Sequence, residues 1–201
     1  MRSLAVLGAV LLGMVQMTGS GAVNPGVAAT SAAGLARVQL VDSSAALLDF
    51  ELIDHRGKSL RLSSLRGRPL LVFFGFARCA DVCPTVLHKL RQAARRPALR
   101  SGRARVVFIS VDGTHDSPEV LGGFLAPITA EIVGLTGKPK QVRAIATQFS
   151  AAFAAGRAPV DHSSQVYLVD PQGRLRATFY NATPETIEAV VRRVAAPSGR
   201  G

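Results

Sequence analysis

Predominantly apolar runs of strand length recur along the chain at residues 69–74, 104–111 and 132–135, and residues 164–169 read as a further strand, with segments of helical spacing between them. Such runs, lacking polar alternation, predict strands buried on both faces. Residues 84–95 place Val86, Leu87, Leu90 and Ala93 on one side and predict a helix. Ser117-Pro118-Glu119 predicts the start of a second helix, with Ser117 as N-cap and Pro118 at the first helical position. Residues 138–149 and 183–194 read as two more helices, and residues 63–66 as a short helical turn. Residues 48–52 and 59–62 alternate around the turn His55-Arg56-Gly57-Lys58, which predicts an N-terminal hairpin. Asp170-Pro171-Gln172-Gly173 predicts a turn leading into a hairpin partner at residues 175–179. The sum is an α/β domain in three layers, a central mixed sheet flanked by helices.

The ends differ from this body. Met1-Arg2, the apolar run 4–15 and the small residues Ser20-Gly21-Ala22 predict a secretory signal over residues 1–22. The run is shorter than the roughly 20 apolar residues that span a bilayer, and an N-terminal membrane anchor is the alternative. Residues 23–46, rich in Ala, Gly, Ser and Val, predict a flexible tether; 47–195 form the ordered domain and 196–201 a disordered tail. The domain is therefore expected to be exported.

The chain has 24 basic and 13 acidic residues, a formal charge of +11, and the basic ones are mostly arginine. That balance points to an acidic partner or a membrane surface. Aromatic residues are only 5% and do not interleave with the basic ones, which argues against nucleic acid.

Both cysteines, Cys79 and Cys83, fall within Phe74 to Leu87, which reads F-G-F-A-R-C-A-D-V-C-P-T-V-L. Pro84 disfavours a helical conformation for Cys83 and opens the following helix, so the sulfurs are expected at a strand's carboxyl end and a helix's positive end, with Cys83 at or before the N-cap. That position and the charge of Arg78 favour thiolate. A structural disulfide over so short a loop would contribute only about 2 kcal/mol, a weak motive in a chain of this size. A redox-active dithiol or a metal clamp remains. Two thiolates suit Cu(I) or zinc, and an added imidazole gives a trigonal site that also holds oxidised copper.

Four histidines could supply it. His55 reads as a solvated turn residue, and His88 points away from the cysteines on the next helix. His115 lies in a loop at the correct sheet edge, as an auxiliary ligand or proton donor. His162, beside Asp161, precedes a strand after a loop able to bend towards the cysteines. Asp54, Asp112 and Asp116 read as turn and cap residues, and Asn181-Ala182-Thr183 as a chance match to a glycosylation acceptor.

Phe73-Phe74-Gly75-Phe76, Cys79-x-Asp81-Val82-Cys83-Pro84-Thr85, Ser110-Val111-Asp112, Asp116-Ser117-Pro118-Glu119, Asp161-His162-Ser163 and Tyr167-Leu168-Val169-Asp170-Pro171-x-Gly173 together resemble the Sco/SenC family of thioredoxin-like copper proteins, which assist assembly of the binuclear copper centre of cytochrome c oxidase. The resemblance implies a thioredoxin-like fold and one copper ion, Cu(I) or Cu(II), bound by Cys79, Cys83 and His162. It further implies a copper-accepting oxidase subunit as partner, an upstream copper donor or thiol reductant, and a site of action in the periplasm or at the outer face of the inner membrane. The chain departs from the family pattern at Ala80, where proline is common, and at Gly113 and His115, which replace a proline and an arginine. Without stable copper, the same dithiol would make an extracytoplasmic thiol-disulfide oxidoreductase or thiol peroxidase with Cys79 or Cys83 as nucleophile.

Overall fold

Leu70–Gly75 forms β4, and its burial on both sides makes it the centre of the sheet. A computed structural model describes residues 36–100, 103–128, 131–151 and 165–195. The elements in chain order are β1 (Arg37–Leu40), β2 (Glu51–Asp54), β3 (Ser59–Arg61), a 3-10 turn (Leu62–Leu65), β4, α1 (Val82–Ala94), β5 (Arg105–Ser110), α2 (Pro118–Leu125), β6 (Ile132–Thr136), α3 (Pro139–Gln148), β7 (Gln165–Val169), β8 (Leu175–Tyr180) and α4 (Pro184–Ala195). The described strands make one eight-stranded sheet in the order β1-β8-β7-β4-β5-β6-β2-β3. β4, β5 and β6 run parallel, and the remaining pairs are antiparallel.

Alternation along the central strands divides the core in two. Leu71, Phe73, Val106 and Phe108 face α1, α2 and α4 through Leu87, Leu90, Leu121 and Ile187. Leu70, Val72, Val107 and Ile109 face the 3-10 turn and α3 through Leu62, Leu65, Val142 and Ile145. This is the expected three-layer arrangement. α1 presents Cys83, Val86, Leu87, Leu90 and Ala93 inward at helical spacing, so Cys83 belongs to the core-facing stripe. At the far end of α1, Arg96 holds Glu185 at 2.7 Å and Glu188 at 2.6 Å, fastening the end of α1 to α4.

Two expectations are corrected. The tether assigned to residues 23–46 ends sooner, because Arg37–Leu40 pairs with β8 from Arg37↔Tyr180 to Leu40↔Ala177. Arg37 also lies 4.2 Å over the Tyr180 ring, and Tyr180 Oη donates to Gln39 Oε1 at 3.2 Å. The helix after the cysteines begins at Val82 rather than Pro84. Proline is tolerated throughout a first helical turn, whose N–H groups have no partner within the helix, and burial of Cys83 outweighs the preference imposed on the residue before proline. The expected N-cap at Ser117 is present, its hydroxyl accepting the Val120 N–H at 3.3 Å. No helix among the described residues is long and apolar enough to cross a membrane; the leader expected at residues 1–22 and the tail expected at 196–201 lie outside them.

Candidate metal centre

Cys79 and Cys83 are brought together where β4 ends and α1 begins, both as free thiols and both buried, at 6% and 4% exposure. Asp81, the residue before the helix, supplies no side-chain cap. Cys79 Sγ fills that role and accepts the Cys83 N–H at 3.3 Å. Burial is the largest influence on the Cys79 thiol and pushes it up. It is outweighed by hydrogen bonds from the Cys83 amide, the Cys83 thiol and the amides of Asp81 and Val82, so Cys79 lies below the ordinary thiol value. Cys83 is pushed up to about 12, chiefly by burial, and further by donating its proton to Cys79 and by the charges of Cys79 and Asp116; a hydrogen bond from the Phe76 amide only partly offsets this. Of the pair, Cys79 is thus the more acidic and Cys83 the one that donates.

Arg78 does not act as expected. Its guanidinium turns out to Asp112, with Nη2 to Oδ2 at 2.8 Å, while backbone amides and the Cys83 thiol stabilise the thiolate.

Two residues that position this loop are named in the sequence motifs without that role. Gly75 ends β4 directly beneath Cys83, and a Cβ there would stand 2.7 Å from Cys83 Sγ and 2.7 Å from Phe108 Cε2. Only glycine leaves room for that sulfur. Asp116, read from sequence as a turn residue, is fully buried and braces the loop. Its Oδ2 accepts the Ala77 N–H at 2.9 Å and the Ser110 hydroxyl at 2.6 Å, and Thr136 Oγ1 donates to its carbonyl at 2.7 Å. Its Oδ1 is buried without a partner. A glycine closing an apolar strand just before a cysteine was the available signal for Gly75. Asp116 stands in the Asp116-Ser117-Pro118-Glu119 motif, but the amide it holds lies 39 positions away, so its bracing role has no local signal.

The histidines separate clearly. His55 is a half-buried structural residue rather than a solvated one: its Nδ1 accepts the Gly134 N–H at 3.2 Å and its own N–H reaches Gly134 O at 2.9 Å. His88 is exposed on α1. His115 places Nδ1 2.8 Å from Asp112 Oδ1. Burial would raise the Asp112 carboxyl, but hydrogen bonds from His115 and Arg78 and their charges hold it below its usual range. Asp54 is the turn residue expected, accepting the Arg56 and Lys58 amides at 2.9 and 2.8 Å. Asn181 accepts Lys89 Nζ at 2.8 Å.

Asp161 and His162 lie outside the described residues. β7 begins three positions later at Gln165, and the register Phe73↔Val166 sets the start of β7 at the sheet edge where β4 ends. Among the described residues, no three His, Cys, Asp or Glu side chains converge as a metal-holding group. The donors present suit a soft cation: two sulfurs, one of them held below the ordinary thiol value, at a helix's positive end.

A helix-flanked mixed sheet with a buried dithiol where its central strand meets a helix defines the thioredoxin-like class. Residues 39–196 match the family model described as SCO1/SenC, and the chain belongs to the SCO1/SenC family. The human mitochondrial Protein SCO2 homolog is 36% identical over 155 residues, 72% of this chain and 58% of that protein, so the chain spans little more than half of that relative. The structure of Bradyrhizobium japonicum ScoI with copper bound is similar with a TM-score of 0.64 and 31% identity, covering 75% of this chain and 99% of that one. BsSco, a member of the Sco family of cytochrome c oxidase assembly proteins in which a disulfide switch was identified, is 25% identical with a TM-score of 0.67, covering 79% and 99%.

Proposed function

We propose that this protein is an exported copper carrier for cytochrome c oxidase, holding one copper ion as cargo on Cys79, Cys83 and His162. The observation that carries this reading is the pair of free, buried cysteines at the helix start, in a fold whose relative ScoI has been solved with copper bound. Two soft donors with one imidazole satisfy Cu(I) and also accommodate Cu(II). Cargo leaves by ligand exchange, each bond to the chain being replaced by one to a Cys, His or Met of the accepting oxidase subunit. BsSco's place among oxidase assembly proteins supports that acceptor. The leader directs or anchors the domain at the periplasmic face of the membrane, and a copper donor or thiol reductant acts upstream. The net charge of +11 favours docking on an acidic acceptor.

A second reading rests on the inequality of the two thiols. A more acidic Cys79 beside a Cys83 that holds its proton suits a thiol-disulfide reductase: Cys79, as its thiolate, attacks a substrate disulfide, Cys83 resolves the mixed disulfide, and two electrons and two protons pass to the substrate. The substrate would be the oxidase subunit's own cysteine pair.

Oxidation state separates the two readings. The reduced chain is expected to take about one Cu(I) in competition with a chromogenic chelator, and the chain with Cys79 and Cys83 joined as a disulfide to take none, since a disulfide has no thiolate to offer. Equal copper retention by both forms contradicts the proposed site. Rapid dithiol exchange with no retained copper favours the second reading.

A further inference from the structure

Both sulfurs are nearly closed off from solvent, so a ligand bringing or taking copper meets the rim of the cysteine loop first. His115 stands on that rim, its side chain 55% exposed. The Asp112 carboxylate is shared, Oδ2 receiving Arg78 Nη2 and Oδ1 receiving His115 Nδ1, both at 2.8 Å. Arg78 is the residue immediately before Cys79. The turn carrying His115 is itself locked, because the His115 and Asp116 amides both donate to Asp112 O at 2.9 Å. Asp116 at its end holds the Ala77 N–H, so the turn grips the cysteine loop at two points.

This geometry fixes the tautomer. An ionised carboxylate only accepts hydrogen bonds, so Nδ1 carries the proton and the neutral ring keeps its lone pair on Nε2. A carboxylate behind a histidine is the arrangement that orients an imidazole and strengthens it as a metal ligand. The arginine expected here from the family pattern could pair with Asp112 but could not ligate a cation.

We propose that His115 Nε2 is an outer copper ligand, through which the ion passes between a partner and the buried Cys79–Cys83 pair; this rests on the copper-carrier reading. A Cu–N bond to His115 forms as a bond to the donor's ligand breaks; bonds to the Cys79 and Cys83 sulfurs then form as the Cu–N bond and the remaining donor bonds break, any proton still on either sulfur leaving to solvent. Copper remains Cu(I) throughout.

The test is stopped-flow transfer of Cu(I) from the loaded, reduced full chain to bicinchoninate, with equilibrium affinity measured in parallel on each variant. His115→Ala is expected to slow transfer about tenfold without tighter equilibrium binding. His115→Arg restores a partner for Asp112 but no metal ligand, and should remain equally slow. Wild-type rates in both variants, or rescue by arginine alone, overturn the inference and leave the carrier reading standing. A wild-type chain that holds no copper against the chelator removes both. Independently of copper, nitrogen-15 spectra of the unloaded chain should show the His115 ring protonated at Nδ1; a ring protonated only at Nε2 overturns the assignment.

Discussion

Asp116→Ala is expected to lower the unfolding free energy by about 3 kcal/mol, because it strands two donors in a buried site at once. The Ala77 N–H and the Ser110 hydroxyl both end on Asp116 Oδ2, and the Ser110 oxygen in turn accepts the Asp112 N–H at 3.1 Å. The carboxylate therefore terminates a chain of hydrogen bonds joining the end of β5 to the loop before Cys79. For a domain of this size the loss corresponds to a melting temperature lower by roughly 6–12 °C. Asp116→Asn keeps an oxygen for both donors and places an amide where Oδ1 is buried without a partner, so its cost is expected to stay within about 1 kcal/mol. Urea unfolding of the reduced chain measures both. Equal, large losses in the two variants would show that the brace depends on charge rather than on acceptor geometry.

Alkylation of the reduced chain at neutral pH is expected to fall on Cys79, faster than on Cys83 by more than about a hundredfold. Both residues are buried, Cys83 more deeply around its thiol, and the readiness to lose a proton favours Cys79 as well. Cys79 is held below the ordinary thiol value, burial being outweighed by the donors around it, while burial and its neighbour push Cys83 up to about 12. Iodoacetamide labelling followed by peptide mass spectrometry reads the ratio directly, and comparable labelling of both residues would refute the asymmetry. The same inequality sets a pH dependence. Cys83 keeps its proton in the fold while the unfolded chain loses it above the ordinary value of 9.0, so this contribution is complete below that value and is lost as pH rises towards about 12. The Cys79 contribution has the opposite sign: present above the ordinary thiol value, it is lost as pH falls through the lower folded value.

The central layer was legible because its physics is local. Residues 69–74 and 104–111 could only be strands covered on both faces, and Ser117-Pro118 could hardly avoid opening a helix. β1 was not legible: of Arg37, Val38, Gln39 and Leu40 only Val38 is half-buried, and the strand exists because β8, some 140 positions later, offers it an edge. The start of α1 was misplaced because the rule for residues before proline is weaker than the burial of Cys83 in the core. The site divides the same way. Cys79 and Cys83 declare themselves by spacing and by the proline that follows. Gly75 and Asp116 act only through neighbours brought near by folding, the sulfur of Cys83 in one case and the amide of Ala77 in the other. His55 misled in the other direction, since a turn histidine looks solvated until β6 supplies Gly134 as its partner.

The most direct test of the copper site is Cu(I) stoichiometry and affinity of the reduced chain under chelator competition, compared with Cys79→Ser, Cys83→Ser and His162→Ala. The expected result is about one copper per chain, lost in either cysteine variant and weakened by about 10- to 100-fold without His162. Full affinity in either serine variant, or no chelator-resistant copper in the wild-type chain, would contradict it.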